Sequence, residues 1–78
     1  MMNVTYLPTT YYTLAVYDTD LKNWYVEFVA DSKTIVNEER QSLIEGYLNI
    51  KPKHIKIIKT GGDQQSIDAA ISKLNGSK

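Results

Sequence analysis

Residues 11–29 read YYTLAVYDTDLKNWYVEFV, and the fold turns on them. Tyr11–Tyr17 is a run of aromatic and β-branched residues of the kind that fits a pleated, half-buried surface. Asp18–Asn23 is a polar cluster with turn chemistry. Trp24–Val29 resumes the first pattern. Two strands joined by a short polar loop make a β-hairpin. A register that pairs Tyr17 with Tyr25 and Val16 with Val26 puts Tyr12, Leu14, Val16, Trp24, Val26 and Phe28 on one face, because side chains alternate with period two. That face reads as the core side. The other face carries Tyr11, Thr13, Ala15, Tyr17, Tyr25, Glu27 and Val29.

Working outward, Asp31-Ser32 supplies a capping side chain for a helix over about Lys33 to Glu45. Ile35, Val36, Leu43, Ile44 and Tyr47 lie roughly on one side of it. Gly46 follows as a terminator able to take a left-handed conformation. After a loop around Pro52, residues 54–59 (HIKIIK) read as a third strand, with Ile55 and Ile57 on one face and His54, Lys56 and Ile58 on the other. Thr60-Gly61-Gly62 is a tight turn. Asp63 caps a second helix over about Gln64 to Leu74, where Ile67, Ala70, Ile71 and Leu74 recur at helical spacing. The expected fold is α+β: one small domain over residues 11–75 in ββαβα order. It has a three-stranded mixed sheet in the order 2-1-3, with both helices packed on one face. Residues 1–10 form a lead-in and residues 76–78 a frayed tail.

Composition removes several classes of function. The chain has 78 residues, nine basic and nine acidic side chains, and 42% hydrophobic residues, which is the profile of a single globular domain rather than a disordered chain. Apolar runs are far shorter than a membrane span requires, and the N-terminus lacks the pattern of a signal peptide. With no Cys, disulfides, thiol catalysis and Cys-based metal sites are excluded, and a reducing, cytoplasmic setting is expected. His54 is the single histidine. It stands among lysines without a nucleophile motif nearby, so no catalytic residue, metal site or cofactor is assigned. Asp18-x-Asp20 resembles the start of a calcium loop, but Asn23 and Val29 occupy the positions where such loops need Gly and Glu. Thr60-Gly61-Gly62-Asp63 lacks the ending of a phosphate-binding loop, and Asp63 sets a negative charge where a phosphate would sit.

Two surfaces remain as candidates. The first is the face opposite the helices, left open in this arrangement, with Tyr11, Tyr17, Tyr25, Glu27 and Val29. Tyrosine gives large amphipathic contact area at modest entropic cost, so this face reads as a protein-binding surface. The plainer account is cross-strand stabilisation by aromatic pairs. The second is a segregated charge pattern. Residues 18–45 carry net −4, whereas residues 46–59 hold Lys51, Lys53, Lys56 and Lys59 and no acid. With His54, these lysines form a candidate nucleic-acid edge. Their plainer role is to protect an edge strand from aggregation. The neutral total charge weighs against nucleic acid. The expected function is therefore a small non-enzymatic protein-binding module. It would be an accessory or regulatory protein that modulates or inhibits a partner, of a size common among phage and mobile-element proteins. Self-association through the open face is a variant of the same reading.

Overall fold

The computed structural model describes residues 10–76. The lead-in, apart from Thr10, and Ser77-Lys78 lie outside the described residues. The elements follow the expected order: β1 (Tyr11–Asp18), β2 (Asn23–Ala30), α1 (Lys33–Glu45), a single 3-10 turn (Pro52–His54), β3 (Ile55–Thr60) and α2 (Gln64–Leu74). The sheet order is β2-β1-β3. Both pairings are antiparallel, so the expected mixed sheet is corrected to an antiparallel one. β2 and β3 do run in the same direction, but β1 lies between them and takes up the backbone bonds of both.

Two local signals fix the helices. The Ser32 hydroxyl accepts a hydrogen bond from the Ile35 N–H at 3.3 Å, and the Asp63 carboxylate accepts one from Ser66 N–H at 3.0 Å. Each satisfies a donor that the first helical turn leaves unpaired. Gly46 ends α1 in an extended conformation (φ −84°), not the left-handed one expected. Its need for glycine comes from space: a Cβ there would collide with the Ser42 carbonyl oxygen. The chain then recoils, with Ile50 N–H bonding to Leu43 O at 3.0 Å.

The hairpin register departs from expectation in an informative way. Tyr12, Thr13 and Leu14 face Ala30, Val29 and Phe28, as the expected register requires. Beyond Leu14 the pairing slips by one, so that Ala15, Val16 and Tyr17 face Val26, Tyr25 and Trp24. Glu27 is the extra residue, a β-bulge. The cause is a conflict between two local demands. The Asp18 carboxylate accepts from the N–H groups of Asp20 and Leu21 at 2.8 and 3.0 Å, and Lys22 N–H bonds to Asp18 O at 2.7 Å. That four-residue turn, closed by Lys22 at φ 59°, holds Asp18 opposite Asn23. The apolar pattern further along needs Phe28 opposite Leu14. One bulged residue reconciles the two, and it turns the side chains of residues 24–26 to the opposite faces from those expected. Trp24 and Val26 leave the expected core face, and Tyr25 joins it.

The helices cover both faces of the sheet rather than one. Leu14, Val16 and Ile55 pack with Val36 and Leu43 of α1 into the main core, flanked by Tyr12, Phe28 and Ile57. Thr13 and Ala15 point the other way, yet both are 0% exposed. α2 is the helix on that side. It leaves β3 through Gly61, whose N–H donates to Ser66 Oγ at 2.8 Å, and it reaches β2, where Asn75 binds the backbone of Trp24. Ile67 is its buried anchor. A hydrogen bond of 2.8 Å joins the hydroxyls of Thr13 and Thr60 beneath it. The result is an α1–sheet–α2 sandwich with β1 buried on both sides.

Candidate functional site

The sandwich breaks up the expected tyrosine face. Tyr11 is half-buried and packs its ring against Gly62, where a Cβ would collide with it. Val29 is half-buried opposite Thr13. Glu27 is the exposed bulge residue. Tyr17 stays on the α2 side, whereas the bulge moves Tyr25 to the α1 side. The five residues therefore share no single open face, and the middle of the face expected to be open lies under α2.

What remains uncovered is the end of the sheet where β1 meets the hairpin turn and the 3-10 turn. On the α2 side, Tyr17 and Trp24 meet edge to face with ring centroids 5.4 Å apart, and Tyr17 lies 5.6 Å from the His54 ring. The Lys56 ammonium sits 5.2 Å from the centroid of the Trp24 ring, a cation–π contact. The lysine and its ring come from the two edge strands and reach across β1. Around the same end of the sheet, a concavity of about 380 Å³ opens between β1 and the loop after α1, lined by Val16, Tyr17, Tyr25, Leu48, Lys51 and His54, among others. Burial, and then the nearby carboxylates of Glu27 and Asp18, hold the Tyr25 hydroxyl above its ordinary pKa.

The rim of this end is apolar for an exposed surface. Leu48 is 65% exposed and Tyr25 38%. The expected lysine group is only partly assembled here. Lys51 and His54 line the concavity, Lys53 is exposed on the 3-10 turn, and Lys56 caps Trp24. Lys59 lies near the other end of β3, opposite Tyr12. Sequence reasoning places Trp24 in the core, puts Ile50 in the loop around Pro52 and assigns no role to Leu48, so it misses all three. The apolar pair Tyr47-Leu48 directly after Gly46 was the one available signal for Leu48.

Among the described residues no group of three or more His, Asp or Glu side chains converges to hold a metal ion. No helix among them is long and apolar enough to cross a membrane. The chain matches no family model, and neither the curated proteins nor the solved structures gave a match.

Proposed function

We propose that the chain is a small, non-enzymatic protein-binding module of the cytoplasm that modulates a partner through the hairpin end of its sheet. The observation that carries this reading is the exposed apolar rim formed by Tyr25 and Leu48 around the concavity. A concave, mostly apolar site with a few convergent polar groups is the usual form of a binding pocket. Tyrosine and leucine at its edge provide anchor area, while Lys51, His54 and the Tyr25 hydroxyl provide directional contacts. A photo-crosslinking residue at Leu48 tests the reading, with the same residue at Glu38 on the exposed side of α1 as control. A discrete adduct from Leu48 that is lost on Tyr25→Ser is the expected result. Adducts from neither position, or equally from both, would overturn it.

A second reading has its own observation. The linked rings of Tyr17, Trp24 and His54 with the Lys56 ammonium combine stacking surface and cation as single-strand nucleic-acid platforms do. Fluorescence anisotropy of a labelled single-stranded oligonucleotide tests it. Binding that weakens steeply with salt and is lost in a Lys51, Lys53, Lys56 and Lys59 to Gln variant would favour this reading over the first.

A further inference from the structure

We propose that the outer edge of β3 takes up an extended, acidic–apolar segment of a protein partner as a fourth strand, seated in the groove between β3 and α2. The inference rests on the protein-binding reading and adds a second surface to it, away from the hairpin end.

The backbone of the two edge strands differs. At β2 the Trp24 N–H donates to Asn75 Oδ1 at 2.7 Å, and the Asn75 amide donates to Trp24 O at 3.2 Å. That edge is occupied at Trp24 and broken by the Glu27 bulge. The same bonds set the phase of the ladder. Trp24 turns its backbone groups outward, so its partner Tyr17 turns its own toward β3, and alternation gives Ala15, Thr13 and Tyr11 the same direction. Their β3 partners Lys56, Ile58 and Thr60 therefore bond to β1. Ile55, Ile57 and Lys59 present their groups to the outside. Ile55 N–H is taken by Pro52 O. Among the described residues, Ile57 and Lys59 are then left with both N–H and C=O unpaired, a template for strand addition.

Beside that edge lies a groove of about 320 Å³, lined by Ile58, Lys59, Ala69, Ala70, Lys73 and Leu74. The two alanines keep the helix wall low, and the ionisable residues that border the groove, Lys59 and Lys73, are both basic. An apolar side chain opposite Ile58 enters the groove, the alternate acidic residues of the same segment lie on the Lys59 side of the strand, and Lys73 adds a second positive charge at the helix wall of the groove. The charge pattern selects the occupant. Pairing β3 with β3 of a second copy would bring lysines together across the edge, where like charges destabilise. The lysines that deter self-association thus favour an acidic strand, which is how an edge discriminates between partners.

The test titrates the ¹⁵N-labelled full chain with a short alternating Glu-Val peptide and, separately, with its Lys-Val counterpart. The Glu-Val peptide is expected to shift the amides of Ile57, Lys59 and Ala69–Leu74 and to bind at least about tenfold tighter than the Lys-Val peptide. A Lys59→Glu, Lys73→Glu variant, its fold confirmed by its spectrum, is expected to reverse that preference. Equal binding of the two peptides, or no shift at Ile57 and Lys59, would overturn the inference. Shifts confined to Val16, Leu48 and His54 would also overturn it, while leaving the hairpin-end reading in place. A single-stranded oligonucleotide that moves the β3 amides more strongly than the acidic peptide would overturn the choice of occupant.

Discussion

The Thr13 and Thr60 hydroxyls form a buried hydrogen bond of 2.8 Å on the side of the sheet covered by α2. Thr13 is 0% exposed and Thr60 9%. Each hydroxyl is satisfied by the other, so removing one leaves the survivor desolvated without a partner. Thr13→Val is expected to cost about 1–3 kcal/mol. The double change Thr13→Val, Thr60→Val is expected to cost less than the sum of the two single changes, because neither polar group is then left unpaired. A double-mutant cycle in urea reads the coupling. Strict additivity would show that the hydroxyls find water instead.

The bulge yields a second prediction. Deleting Glu27 removes a residue with no cross-strand partner and keeps every pairing of β1 with β2, so the variant is expected to unfold cooperatively with a dispersed amide spectrum. Deleting Phe28 removes a residue packed against the core and forces Glu27 opposite Leu14. That deletion is expected to cost about 3–5 kcal/mol or abolish folding. Equal stability of the two deletions would contradict the assigned register.

Gly62 and Gly46 are expected to differ in how they can be rescued. An added methyl at Gly62 meets the Tyr11 ring, and one at Gly46 meets the backbone carbonyl of Ser42. Both Ala substitutions are expected to destabilise by about 1–3 kcal/mol. Tyr11→Ser should recover part of the loss at Gly62, since the obstructing group is a side chain. No side-chain change near Ser42 should recover the loss at Gly46. Thermal unfolding of the single and paired variants checks both statements.

Tyr25 couples stability to alkaline pH. Its folded pKa lies above the ordinary tyrosine value of 10.0, through burial first and then through Glu27 and Asp18. In the window between the unfolded and folded values the folded state holds the proton and the unfolded state has lost it. Stability is therefore undiminished below about 10 and falls as pH rises from the unfolded pKa through the folded one. Tyr25→Phe is expected to flatten this alkaline loss relative to the parent chain, measured by thermal unfolding across that range. An unchanged slope would show that Tyr25 is fully solvated.

Much of this fold could be read from local sequence. Ser32 and Asp63 marked the helix starts, the helix spans Lys33–Glu45 and Gln64–Leu74 matched their periodic residues, and the 2-1-3 order followed from connectivity. The misplaced part was the sidedness. The turn at Asp18–Asn23 and the apolar residue Phe28 ask for registers one residue apart, and only their meeting in three dimensions produces the bulge at Glu27. The second helix was assigned to the wrong face for a related reason. Thr13, Leu14, Ala15 and Val16 were read as an alternating strand with one wet side. They are a continuous run of apolar and small residues, as a strand covered on both faces requires. The candidate site changes accordingly: Tyr25 and Trp24 exchange faces, and Tyr11 packs against Gly62 instead of standing on an open face.

Everything proposed about binding depends on neither face of the sheet being open, which leaves the hairpin end and the β3 edge. Methyl-to-methyl NOEs from Ile67 of α2 report this. The sandwich predicts contacts from Ile67 to the methyls of Thr13 and Ala15. NOEs from Ile67 to Leu14, Val16 or Val36 instead would place both helices on one side, reopen the tyrosine face, and contradict the arrangement described.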